Sequence, residues 1–125
     1  MKVFRELGNC VRFHSSETTL HLIIKTVLAN LIWRAHIGKK WAGATSVETE
    51  VKYGNRVIDV VDRINRLGYE IETNLTKKKK LEKGKTVKGQ ATETGIILRD
   101  IIVIDASQIP SNLEKMKNYL SKYVF

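Results

Sequence analysis

Apolar positions fall first at helical spacing. Leu20, Ile23, Ile24, Val27, Leu28, Leu31 and Ile32 lie on one stripe, which predicts a helix from about Ser16 to Ile37. Ser15 or Ser16 is suited to cap its start, Glu17 adds an acid to the first turn, and Gly38 supplies a stop. The pattern then changes to period two. SVETEVKY, residues 46 to 53, alternates; Gly54-Asn55 follows as a two-residue hairpin signal, and RVIDVV begins at Arg56. After a turn-like stretch from Arg63 to Gly68, YEIET begins at Tyr69. Residues 74–95 are basic and carry Gly84, Gly89 and Gly95, which predicts loop with a short helix near Leu75 to Lys83. GIILRDIIVIDA holds a strand, mainly Arg99 to Ile104. Its near-continuous apolar run predicts a central strand covered on both faces. Pro110 breaks the chain. Ser111-Asn112-Leu113-Glu114 reads as a capping box with Ser111 as the cap. Leu113, Met116, Leu120, Tyr123 and Val124 then stripe a last helix. The order helix, three-strand meander, basic segment, strand, helix predicts an α/β sandwich around one mixed sheet.

Length adds that 125 residues make one domain, and 42% hydrophobic residues suffice for its core. No run of about 18 apolar residues exists, so no membrane span is expected. MKVFRELGNCVRF lacks the apolar middle of a signal peptide. The lone Cys10 cannot form an intrachain disulfide, which fits a reducing intracellular setting. Net charge is +9, and the tract Thr76 to Lys88 supplies most of it, with seven lysines against one glutamate. Lys77, Lys78, Lys79, Lys80 and Lys83 are therefore expected to attract a nucleic-acid phosphate backbone or an anionic membrane surface. No aromatic residue interleaves them, so the tract implies backbone contact without base readout.

The acids of RVIDVVDRINRLGYEIET change the picture more. Asp59 interrupts an apolar run, and Glu70 and Glu72 flank Ile71. A hairpin turn at Gly54-Asn55 would pair Tyr53 with Arg56, Lys52 with Val57 and Val51 with Ile58, and would put Glu50 beside Asp59. An even-numbered second turn, Ile64-Asn65 or Ile64 to Leu67, would put Asp59 opposite Glu70 or Glu72. Glu48, Glu50, Asp59, Glu70 and Glu72 would then share one face. Val51, Tyr53, Ile58, Val60, Tyr69 and Ile71 would line the other. Two carboxylates about 4 Å apart repel by about 4 kcal/mol at an effective dielectric near 20. Either a lattice of basic side chains or a divalent cation must offset that.

At these residues the chain resembles the PD-(D/E)XK nuclease superfamily, which includes restriction endonucleases and Holliday-junction resolvases. The likeness covers about residues 14 to 106. Its core order is the one read above, with an acid in the second strand, Asp59, and an acid in the third, Glu70. Glu50 resembles an additional acid of some members, and Glu17 a weaker, helix-borne one. The likeness is closest in character to small nuclease-like proteins of archaea and their viruses. It implies a restriction-endonuclease-like sandwich that cuts DNA, in the cytoplasm of a cell or of a virus's host. Mg²⁺ or Mn²⁺ would be held by Glu50, Asp59, Glu70 and the Ile71 carbonyl. Glu72 stands where the family usually has Lys. The resemblance makes it a catalytic base or a ligand of a second metal, and leaves Lys52 or Lys77 to Lys80 to supply the missing cation. It also admits a homodimer, and a catalytically inactive nucleic-acid-binding protein that keeps the fold.

Other polar and aromatic residues carry simpler expectations. His14, His21 and His36 suit helix packing better than acid–base work. Trp33, Trp41, Tyr119 and Tyr123 suit packing, and Asp105 a cap or turn.

Overall fold

A computed structural model describes residues 19–36, 46–54, 56–72 and 91–125. The expected helix caps Ser15, Ser16 and Gly38, the acid Glu17 and the whole lysine tract, Lys77 to Lys80 and Lys83 included, lie outside the described residues. Helix α1 spans Thr19–His36, followed by strands β1 (Val47–Tyr53), β2 (Arg56–Asp62), β3 (Leu67–Glu72) and β4 (Asp100–Asp105). A short 3₁₀ turn (Ala106–Gln108) and helix α2 (Leu113–Ser121) complete them. The strands form one sheet in the order β1-β2-β3-β4, an antiparallel meander with β4 added parallel to β3. Both helices pack against the sheet, as the α/β reading required. No helix among the described residues is long and apolar enough to cross a membrane.

The first hairpin has the expected register, with Tyr53 opposite Arg56, Lys52 opposite Val57 and Val51 opposite Ile58. Gly54 takes φ +56°, the left-handed conformation such a turn demands. The second turn occupies Arg63 to Arg66, because Asp62 pairs with Leu67. Asp62 builds it: its Oδ1 accepts from the backbone N–H groups of Ile64 and Asn65, each at 3.0 Å. That satisfies donors the turn would otherwise bury.

Three expectations are corrected. The strand expected at the centre, β4, lies at the edge among the described residues. Its neighbour β3 is the strand covered on both sides, with five of its six residues buried. The apolar run in β4 instead serves two clusters, Ile102 and Ile104 on the helix side and Ile101 and Val103 on the other.

Nor do the meander's apolar residues share one face. Val60, Tyr69 and Ile71 pack against the helices, whereas Val51, Tyr53 and Ile58 join Leu98 and Ile101 in a second cluster. The reversal falls at Glu50, a non-glycine residue at φ +51° that breaks the pleat's alternation. Such a conformation costs about 1–2 kcal/mol for an L-residue.

The cap of α2 is Asn112, not Ser111. Asn112 is the last extended residue, and its side chain accepts from the Lys115 N–H at 3.2 Å. Asp105 does cap, accepting at Oδ1 from the Ser107 N–H and hydroxyl.

Gly68 lets β3 approach the second cluster. A Cβ there would lie 2.4 Å from Ile101 Cδ1 and 3.2 Å from both Ile58 Cγ2 and Leu98 Cδ1. Gly68→Ala is therefore expected to destabilise the protein by about 1–3 kcal/mol. Ile101→Val in the same chain should recover part of the loss; urea unfolding measures both.

The chain's last turns are tied to the core. The Tyr69 hydroxyl donates to the Tyr123 carbonyl at 2.7 Å. Tyr119 and Tyr123 pack with ring centroids 6.0 Å apart, and the Lys122 ammonium lies 3.8 Å over the Tyr119 ring. Burial, then the bond to Tyr119, pushes the Tyr123 phenol from 10.0 up to about 12. Burial also pushes Tyr69 upward, helped by the charge of Asp62. Both folded values exceed the unfolded one, so the folded state holds these protons longer. Their stabilisation is whole below pH 10 and is lost as pH rises toward 12. A thermal melting temperature that falls over that window, less steeply in Tyr123→Phe, is the expected result.

Candidate acidic site

The acids meet α1 along its length. His21 and Lys25 stand one turn apart on the same side of the helix. Lys25 is 0% exposed, and its Nζ lies 2.9 Å from Glu50 Oε1, whose side chain is 13% exposed. Val51 pairs with Ile58 and Thr49 with Val60, so Glu50 stands across from Asp59. Lys25 thus holds Glu50 at the point where the pleat reverses.

Asp59 has two partners. Its Oδ2 accepts from the Ile71 N–H at 2.7 Å, and its Oδ1 lies 3.5 Å from His21 Nε2. The β2–β3 ladder ends at the pair Val60 and Tyr69. One step further, Asp59 faces Glu70 in register, and its carboxylate takes the N–H that a backbone carbonyl would otherwise accept. It therefore abuts the peptide joining Glu70 to Ile71.

Glu70 points to the other face of β3, the face of Gly68. Its side chain is 4% exposed, and Arg56 Nη2 grips both its oxygens at 3.1 and 3.0 Å. Charge-assisted contacts of this kind are the strong ones.

The remaining acids disperse. Glu48 accepts from the Thr94 hydroxyl at 3.0 Å and lies 3.7 Å from Arg63 Nε. Glu72 is half-buried at the end of β3, opposite Asp105 in the parallel register. Lys52 is exposed near the hairpin tip, where its backbone N–H donates to Glu93 Oε1 at 3.0 Å. The five carboxylates do not converge as one set. Glu50, Asp59 and Glu70 are brought near one point of the register, and each is bound separately. Among the described residues no group of three or more His, Cys, Asp or Glu side chains is placed to hold a metal ion.

Sequence reasoning passed over Lys25 and the pair His36 and Asp62. His36 and Asp62 are both fully buried, with Nε2 3.2 Å from Oδ1. Neither ring nitrogen of His36 makes a hydrogen bond, so the approach is a close contact without directional alignment. The signal for Lys25 was present. It stands three residues before Leu28 and seven before Ile32, on the buried stripe itself. Asp62 was masked by Asp59, the more conspicuous acid in the same strand.

Compared with known proteins, the chain matches no family model, no curated protein and no solved structure at a significant level.

Breaking one half of a buried ion pair strands the other charge, at about 3–5 kcal/mol. Lys25→Met and Glu50→Gln are each expected to destabilise by about that amount, and the double variant to recover most of it. A double-mutant cycle in urea reads the coupling.

Proposed function

We propose that the protein is a metal-dependent nuclease hydrolysing DNA phosphodiester bonds, with a restriction-endonuclease-like sandwich as its fold. One observation carries the reading. Asp59 and Glu70 stand opposite each other where the β2–β3 ladder ends, and the Asp59 carboxylate lies against Glu70's own peptide. The topology around them, a meander followed by a parallel fourth strand, has the element order that the resemblance implies.

The donor chemistry fits Mg²⁺ or Mn²⁺. These are hard oxygen donors, nearly buried, and each already has a basic side chain beside it. Asp59 would hold the ion from the helix side, with water completing its shell, and Glu70, which points to the other face, would reach it only on leaving Arg56. Glu50 would join them on leaving Lys25. When bound, the ion supplies an acidified water and offsets charge on the scissile phosphate. The chain's own residues do the rest. The Ile71 N–H orients Asp59, Arg56 neutralises Glu70, and Lys25 fixes Glu50 across from Asp59. Glu72 serves as a base at the end of β3, and the lysines of the 76–88 tract hold the DNA backbone.

A second reading has its own support. Lys25, Arg56 and His21 already compensate the three acids, and Glu72 stands in place of a lysine. Both suit a nucleic-acid-binding protein that keeps the fold without cutting.

Labelled single-stranded, duplex and branched DNA, incubated with Mg²⁺, Mn²⁺ or chelator, separates the two. The nuclease reading expects metal-dependent cutting that falls at least 100-fold in Asp59→Ala and in Glu70→Ala, with both variants folded by circular dichroism. Salt-sensitive binding with no cutting under any metal supports the second reading instead.

A further inference from the structure

The amino ends of β3 and β4 carry a feature that the acidic site does not use. Leu67, Arg99, Asp100, Ile102 and Phe125 line an open pocket of about 500 Å³, a size suited to a small organic group. Phe125 is 63% exposed, the most exposed of the large hydrophobic residues described. Its main chain is held in place, because Asn65 Nδ2 donates to the Phe125 main-chain oxygen at 3.2 Å, and Asn65 is itself bonded to Asp62. Aromatic rings fixed yet open to water are the usual platform for a flat partner.

The charges at this pocket differ from those elsewhere. Arg34, Arg56 and Arg63 are engaged by Asn30, Glu70 and Glu48. Among the described residues, the guanidinium groups of Arg66 and Arg99 make no hydrogen bond or ion pair. The Arg99 N–H donates to the Arg66 carbonyl at 2.7 Å, which keeps the two arginines side by side. Asp100 is the acid in the lining, and its Oδ1 accepts from the Ile101 N–H at 2.8 Å. Arg99 in the lining, Arg66 tied to it through the main chain, and the exposed Phe125 ring, in a chain of net charge +9, select a ligand with both anionic and flat aromatic parts.

We infer that this pocket binds one nucleotide of a single-stranded nucleic acid, with its base on Phe125 and its phosphate between Arg66 and Arg99. A paired base in a duplex has no free face to offer, so the pocket distinguishes single strands from duplex. Leu67 and Glu70 are three residues apart on β3, roughly 10 Å at the rise of a strand. A strand seated at Phe125 therefore extends toward the acidic site. The inference does not require hydrolysis: binding is measured in chelator, where no metal-dependent cutting occurs.

The test is fluorescence anisotropy with labelled oligo-dT, oligo-U and a duplex of equal length. Phe125→Ala is expected to weaken oligo-dT or oligo-U binding by about 5- to 100-fold, and Phe125→Trp to restore it. Arg66→Ala with Arg99→Ala should reduce the salt slope on single strands by about 0.7, the value for one lost phosphate contact. Which oligomer binds more tightly distinguishes DNA from RNA as the source. Unchanged single-strand binding in Phe125→Ala overturns the inference, as does an equal loss on duplex or displacement of the oligomer by an acidic peptide at matching concentration. Such a failure alongside metal-dependent cutting would remove the pocket and leave the hydrolytic reading standing. Binding that follows Phe125 in a protein that never cuts would do the reverse.

Discussion

A carboxylate placed between a helix and a sheet must be answered by a partner, and α1 is arranged around that demand. Desolvating a lone carboxylate costs several kcal/mol. The sheet presents three acids to this helix, and the helix meets them with His21 at Asp59, Lys25 at Glu50 and His36 at Asp62. Apolar contacts alone would tolerate some sliding of α1 over Val60, Tyr69 and Ile71. The ionic contacts would not. A shift of one residue turns a helix by about 100°, which would take the helix-borne partner from all three acids together.

The same arrangement prepares the acidic site. Asp59 is drawn out of the ladder toward the Ile71 N–H, and Arg56 crosses from β2 to Glu70 on β3. Strand pairing stops between Asp59 and Glu70, whose side chains leave toward opposite faces of the sheet. Each of these acids has a basic side chain beside it, an arrangement that a structural lattice and the proposed metal site have in common.

Most of the fold was legible because it depends on local patterns. Alternation and the Gly54 turn located the first hairpin and its register, and the even-numbered second turn put Asp59 across from Glu70. What was not legible depends on tertiary choices. Nothing in VETEVKY announces that Glu50 adopts a left-handed backbone, so the reversal of faces there could not be read from a period-two rule. The apolar run of β4 looks like that of a central strand, yet a strand at the edge can be equally apolar when clusters lie on both its sides. The acids were identified as needing compensation. Their partners were sought in the lysine tract, while the nearest buried cation, Lys25, was hidden among apolar neighbours on its own helix.

The reversal at Glu50 divides the first hairpin between two cores. The base of β1, at Val47, belongs to the layer under the helices, and its tip, at Val51 and Tyr53, to the layer around Leu98. Side chains in the two layers share few neighbours, so the effects of changes in one should add to those in the other. Such a molecule can drift in sequence on one side of its sheet while the opposite side, and the helix that carries its charges, stays as it was.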